Sequence, residues 1–227
     1  MVEETVKCGS LPKPKIEAGH HRLETDWTIW WDKKSKANKE LPYEQTVMEL
    51  ARFQSIEDFW ATFRWLKNVS DAPRDTSYHV FRHNAKPMWE NFIHGGCIIV
   101  KLKKNGGEQV DSYWHTLVAA AIGEYFEEPT LVGVGIGTRA KETCLSLWLA
   151  TESLRVRTRI TDMVRGLLKV PLTACEYKKH ASSLEDKSTF RNAEKLSKKS
   201  EKKSKKSHAS ERRSKKSAKK SIKEEKK

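Results

Sequence analysis

Cysteine is scarce in this 227-residue chain, and the four present, Cys8, Cys97, Cys144 and Cys175, are scattered without any C-x-x-C spacing. Reduced thiols in a cytoplasmic protein are therefore expected, with the basic C-terminal tail offering a route to the nucleus as well. No apolar run approaches the length of a membrane-spanning helix, and the N-terminus is charged from Glu3 onward, so neither a membrane anchor nor a secretory leader is expected. The chain has no His-Glu-x-x-His, no Walker loop and no Cys/His cluster. His79 and His83, four apart, fall in a strand-and-turn region where that spacing does not converge on a metal. Nor does the chain show the clustered carboxylates a metal-dependent hydrolase would need. An enzyme, a bound metal and a cofactor are all unexpected on these grounds. Gly133-Val134-Gly135-Ile136-Gly137 superficially suggests a nucleotide loop, but its third glycine falls one place early for G-x-G-x-x-G. At alternate positions of a strand these glycines share one face, where they make room for a ring or backbone packed on the sheet.

Charge is equally uneven. Residues 191–227 hold 17 basic and 5 acidic side chains, a net of +12 out of the chain's +14. The first 190 residues are nearly neutral, so any RNA recognition there has to come from a localised site. Three segments are expected: a mobile arm at 1–20, one domain at 21–190, and a disordered Lys/Ser-rich tail at 191–227 with almost nothing apolar to bury.

What the chain has in abundance is tryptophan, eight in all at positions 27, 30, 31, 60, 65, 89, 114 and 148. Alternation from Leu23 predicts a strand through Trp27, Ile29 and Trp31, ending in a polar loop at 32–40. Ser55-Ile56-Glu57-Asp58 opens a helix in the manner of a capping box, and Ile56, Phe59, Trp60, Phe63 and Leu66 continue it at helical spacing. Strands are predicted at 78–81, 98–102, 131–138 and 144–150, with helices at 110–126 and 152–168. Strands in series interrupted by three long helices imply an α+β fold, an antiparallel sheet with helices on one face.

The most telling stretch is Lys86-Pro87-Met88-Trp89-Glu90, where a tryptophan followed by a carboxylate can offer one planar ligand both a flat face and a pair of acceptors. Guanine fits that pair, since its N1–H and exocyclic amine are adjacent donors that Glu90 can take in a bidentate bond. Arg139 and Lys141 stand between two strand candidates, where a loop could aim both at one anion. Each residue also has a plainer reading: Tyr43 and Trp148 as core, Trp89 as a loop ring covering the core, Arg139 and Lys141 as a solvated turn.

The order Trp27…Trp30, Tyr43, Ile56-Glu57-Asp58-Phe59-Trp60, Pro87-Met88-Trp89-Glu90, Leu147-Trp148 resembles the eukaryotic translation initiation factor 4E family from about residue 21 to 180. The resemblance implies a curved antiparallel sheet backed by three long helices, with the 7-methylguanosine cap of messenger RNA bound on the concave face. It further implies that Tyr43 and Trp89 sandwich the cationic base, that Glu90 reads its edge, that Trp148 touches the N7-methyl group, and that Arg139 and Lys141 hold the phosphates. Many members have Trp where Tyr43 stands, and Tyr43-Glu44-Gln45 is similar to the branch called 4E homologous protein. Where the family often has a third basic residue this chain has Cys144, leaving Lys178 or Lys179 as substitutes. The resemblance also implies a monomer that receives a scaffold or inhibitor protein carrying a helical Tyr-x-x-x-x-Leu-apolar motif. His21, Ile56, Trp60, Ala119 and Gly123 would form that surface, although Arg22 stands where the family has Pro, and His115, Thr116 and Ala119 replace larger or acidic residues. Two roles follow for a cap-binding protein: recruitment of the initiation machinery, or occupation of the cap as a translational repressor.

Overall fold

A computed structural model of the protein describes residues 18–35, 40–103, 107–140 and 142–196. Its frame is an eight-stranded sheet, curved and unclosed, in which every neighbouring pair is antiparallel. In chain order the elements are β1 (Arg22–Lys33), α1 (Tyr43–Thr46), β2 (Met48–Ser55), α2 (Ile56–Phe63), β3 (Thr76–Arg82), β4 (Gly96–Lys103), α3 (Gly107–Ile122), β5 (Leu131–Thr138), β6 (Glu142–Leu149), α4 (Leu154–Leu168), β7 (Cys175–Lys179), α5 (His180–Asp186) and β8 (Glu194–Lys195). Across the sheet the strands run β2-β1-β3-β5-β6-β4-β7-β8.

Period-two alternation divides the side chains of the sheet between two apolar clusters. Trp27 and Ile29 of β1, Tyr78 and Val80 of β3, and Leu145, Leu147 and Leu149 of β6 face the helices, where they meet Phe59 and Phe63 of α2, Trp114, Leu117 and Ala121 of α3, and Ile160 and Val164 of α4. The intervening residues Trp30, Phe81 and Trp148 face the other way, joined by Cys97, Ile99 and Cys144. A one-residue slip in β1 would exchange Trp30 for Trp27 and Ile29, so the register is strongly specified.

The alternate glycines of β5 serve this second face. A Cβ at Gly133 would strike the Phe81 ring, one at Gly135 the His79 ring, and one at Gly137 the Arg139 guanidinium. Three side chains therefore lie flat on β5 because it has none of its own there. That is the packing role expected of the glycines in place of a phosphate loop.

Helix boundaries follow local chemistry. The Ser55 hydroxyl accepts from the Asp58 amide at 3.1 Å and caps α2. Past Phe63 the chain tightens to three-residue bonds, Trp65 N–H to Thr62 O and Leu66 N–H to Phe63 O, so α2 ends before Leu66. Helix α3 begins at Gly107 and stops at Ile122, short of the expected residue 126, because Glu124 adopts a left-handed φ of 56°.

The described structure continues past the expected domain limits of 21 and 190 at both ends. His20 approaches the N-terminal end of α2, with Nδ1 3.3 Å from Ser55 Oγ. At the other end Glu194 and Lys195 pair with Tyr177 and Glu176 of β7, and Leu196 is buried in the helix-side core. A segment read as the start of the tail thus closes one edge of the sheet, since a single leucine and a strand edge in need of partners outweigh its polar composition. The remainder of the expected tail, from residue 197, and most of the expected arm lie outside the described residues.

Candidate functional site

The face of the sheet opposite the long helices is occupied by a cavity of about 560 Å³. Tyr43, Trp89 and Trp148 line it together with Pro87 and Phe190, while Lys33, Lys34, Arg139 and Lys187 supply cations, and Asp32, Ser77, His79 and Ser146 are among its other polar residues.

Each ring is held by a different device. Trp89 opens a 3-10 turn, Trp89–Phe92, that follows the break at Pro87, and its indole N–H donates to Thr189 Oγ1 at 3.3 Å. Tyr43 begins α1 and donates its hydroxyl hydrogen to Asp32 Oδ2 at 3.2 Å. Burial, followed by the charge and hydrogen bond of Asp32, pushes the Tyr43 phenol well above its ordinary range, so it stays protonated and a donor. Trp148 lies in β6 at 2% exposure, stacked on His180 at 4.6 Å between centroids and edge-on to Phe81 at 5.3 Å. It is both a core residue and a wall of the cavity, so the two readings of Trp148 are not exclusive.

The cationic side of the cavity is built around Arg139, whose guanidinium carbon sits 5.0 Å from the centre of the Phe190 ring and whose N–H groups donate to Thr138 O at 2.8 Å and Ser77 Oγ at 3.3 Å. Burial, and then the neighbouring Arg139 charge, holds the Lys34 ammonium below its ordinary range. Cations gathered in this way at one end of a cavity favour an anionic ligand. Lys178 and Lys179 do not contribute. Lys178 is buried and donates to Asp186 Oδ2 and to the Ser188 and Arg191 carbonyls, and Lys179 donates to Glu152. Of the other expected site residues, Glu90 follows Trp89 in the 3-10 turn, exposed and outside the residues that line the cavity. Lys141 lies outside the described residues. The structure therefore brings Tyr43, Trp89, Trp148 and Arg139 into one cavity and leaves Glu90 beside it.

Sequence reading weighed His79 only as a metal ligand and did not place Asp32, Lys33, Lys34, Lys187 or Phe190 at the site. Asp32 was readable in part, because it stands two residues beyond Trp30 and so shares its face of β1. The others depend on β1 pairing with β3 and on the 187–190 segment returning over the sheet, which no local pattern encodes.

A second surface lies on the helical side. Trp60 and Ile56 are exposed on α2 by 51% and 43%, and Ala119 on α3 and Gly123 just past its C-terminal end are exposed as well. A smaller cleft of about 140 Å³ lies beside Trp60, Phe63 and Arg64 of the α2 region and Trp114 and His115 of α3. Next to it Trp65 is 79% exposed, with the Arg64 guanidinium 5.5 Å from its ring. His21 precedes β1 and binds Glu57 through both its amide, at 2.8 Å, and its ring Nδ1, at 2.7 Å, so it braces the start of α2. The five residues expected on a partner surface therefore sit on or beside the helical face.

An open antiparallel sheet with helices on one face and an aromatic cavity edged by cations on the other forms a site suited to a flat ligand carrying negative charge. The comparisons with known proteins agree. Residues 22–195 match the family model for eukaryotic initiation factor 4E, and the chain belongs to that family. It is similar to the wheat (Triticum aestivum) protein named eukaryotic translation initiation factor NCBP, 29% identical over 184 residues that cover 78% of each chain. It is also similar to eukaryotic translation initiation factor isoform 4E of Arachis hypogaea, 30% identical over 154 residues, 66% of this chain and 75% of the relative. Among solved structures, C. elegans eIF4E-3 in complex with the 4E-binding protein Mextli and a cap analog matches with a TM-score of 0.67 at 27% identity, covering 73% of this chain and 96% of that one. Ascaris suum eIF4E-3 in complex with the m2,2,7G cap matches at 0.66 and 29%, covering 71% and 92%.

Proposed function

We propose that this protein binds the 7-methylguanosine cap of messenger RNA in the cavity and recruits the translation initiation machinery through a scaffold protein docked on the helical face. The observation that carries the reading is the convergence of Tyr43, Trp89 and Trp148 with Arg139 in one cavity, in a chain whose structural neighbours were solved with cap ligands. A 7-methylguanine ring is cationic, so it gains from aromatic faces through stacking and through the ring quadrupole. Its phosphates meet Arg139 and the nearby lysines. Glu90, next to Trp89 in the 3-10 turn, is the carboxylate proposed to pair with the guanine edge.

The test is retention on immobilised 7-methyl-GTP, with elution by that nucleotide and by GTP. The methylated nucleotide should elute far better, and Trp89→Ala should lose most retention while staying folded. Glu90→Gln should weaken binding by about one to two orders of magnitude, because a desolvated polar group left without its partner costs about 1–3 kcal/mol. Equal elution by the two nucleotides would refute the cap reading. A normal Glu90→Gln would place edge recognition elsewhere. The proteins that co-elute from native extract decide between recruitment and the alternative of a repressor that occupies the cap, which Tyr43-Glu44-Gln45 keeps in view.

A further inference from the structure

One wall of the cavity contains a carboxylate that stacking alone does not require. Asp32 lies on β1, 3% exposed, and its Oδ2 accepts two hydrogen bonds, from Tyr43 Oη at 3.2 Å and from His79 Nε2 at 2.9 Å. His79 is itself 8% exposed, and Gly135 leaves the space its ring occupies. Burial by itself would push the Asp32 carboxyl up, but the His79 hydrogen bond and charge, the Arg139 charge and the Tyr43 hydroxyl together hold it below its usual range. A negative charge is thus fixed at the hydroxyl end of a ring that lines the ligand cavity.

This arrangement acts on Tyr43 in two ways. Its helix α1 is only four residues long, the ring packs partly buried against the second apolar cluster, and the bond to Asp32 fixes its hydroxyl end. A phenol donating to a carboxylate also places more electron density over its ring, which strengthens its attraction for a cation held against the face and does little for a neutral ring. Tyrosine offers a weaker face than tryptophan to a cation, and an anion at its hydroxyl end offsets that difference.

We infer that Asp32, anchored by His79, is a positioning and specificity-determining residue that makes Tyr43 selective for a cationic purine over a neutral one. The inference rests on the cap-binding reading, with Tyr43 as one wall of the base site. It makes the preference for 7-methylguanine a property of a three-residue network and not of the sandwich rings alone.

The experiment is calorimetric titration of the full chain with 7-methyl-GTP and with GTP, for wild type, Tyr43→Phe, Asp32→Asn and the double variant. Tyr43→Phe keeps the ring and leaves the Asp32–His79 pair intact, so it reads the network even if Asp32→Asn folds poorly. Each single variant should lose about fivefold in affinity for 7-methyl-GTP, within the range of a cation–π contact, and clearly less for GTP, so that the ratio between the nucleotides falls. The double variant should be no worse than Tyr43→Phe, because Asp32→Asn acts on Tyr43 through the same contact, whose charge it removes and whose donor Tyr43→Phe removes. A proportional loss for both nucleotides, or an unchanged ratio, would overturn the inference while leaving cap binding in place. A wild type that fails to distinguish the two nucleotides would overturn the cap reading and this inference with it.

Discussion

Adding a single methyl group at Gly133 should disrupt this fold more than any comparable surface change. An ideal Cβ there would lie 2.4, 2.5 and 2.7 Å from Cδ2, Cγ and Cε2 of Phe81, about 1 Å inside the usual carbon–carbon contact distance of ~3.5 Å. Rotation about the ring axis cannot relieve the clash, because Cγ lies on that axis. Nor can the ring move far, since it is fully buried, with Trp148 edge-on at 5.3 Å, His79 at 6.1 Å and Phe92 at 6.2 Å. The backbone cannot retreat either, because β5 is paired on both sides, to β3 and β6. Overpacking of this kind costs about 1–3 kcal/mol, which for a domain of this size lowers Tm by about 2–12 °C. Gly166→Ala is the matched control, since its Cβ meets nothing within 4 Å on the exposed side of α4 and should stabilise the helix by up to about 1 kcal/mol. Urea unfolding of both variants, together with Phe81→Leu and the Gly133→Ala/Phe81→Leu pair, reads the effect directly. The smaller ring replacement should recover part of the loss, a favourable coupling of about 1 kcal/mol. If Gly133→Ala and Gly166→Ala shifted stability by the same amount, or if Phe81→Leu simply added to Gly133→Ala, the argument that β5 glycines seat rings on the sheet would be wrong.

Three further outcomes are expected. Burial pushes His180 down to about 4 from an ordinary value of 6.5, and the Leu149 backbone beside the ring offsets this only in part. Between those values the unfolded chain takes up the proton more readily, so stability is complete above pH 6.5 and falls as pH drops toward 4. Unfolding at pH 7 and pH 5 should show a loss of about 2 kcal/mol that is absent in His180→Phe, and equal losses in both proteins would exclude His180 as the cause. A chain ending at Leu196 should be about 2 kcal/mol more stable than one ending at Ala193, because the shorter chain lacks β8 and the buried Leu196 side chain; indistinguishable denaturation curves would show that this edge contributes nothing. Trp60→Ala should leave affinity for 7-methyl-GTP within about twofold yet weaken capture of a helical Tyr-x-x-x-x-Leu-apolar peptide by about thirtyfold or more, as for an aromatic anchor of about 2 kcal/mol, and unchanged peptide affinity in a titration would move the partner site elsewhere.

How far the sequence could be read depended on how local each signal was. The Ser55 cap, the helical spacing of α2 and the alternation in β1 are settled within a few residues, and they were legible. So was the shared face of Gly133, Gly135 and Gly137, because strand geometry dictates it. Strand β2 and the short strands β7 and β8 were not, since their residues become strands only by pairing with neighbours already in place. The site shows the same division. Tyr43, Trp89, Trp148 and Arg139 could be named from the order of aromatic and basic residues in a known family. Asp32 is an ordinary polar residue until β3 brings His79 to within 2.9 Å of it, and Phe190 is an isolated aromatic until its ring meets Arg139.

By itself the sequence determined the alternating faces of the strands, the helix start at Ser55, the concentration of positive charge beyond residue 190 and the aromatic residues available for a ligand. These depend on covalent geometry, periodicity and composition, which any short stretch of chain carries with it. Only the tertiary structure decided that Glu194, Lys195 and Leu196 belong to the domain, that Lys178 is tied to Asp186 and kept from the ligand cavity, and that a buried carboxylate holds the hydroxyl end of one aromatic wall. Those outcomes depend on contacts between residues far apart in the chain, such as the 47 positions that separate Asp32 from His79, and such contacts exist only once the sheet has closed the intervening loops.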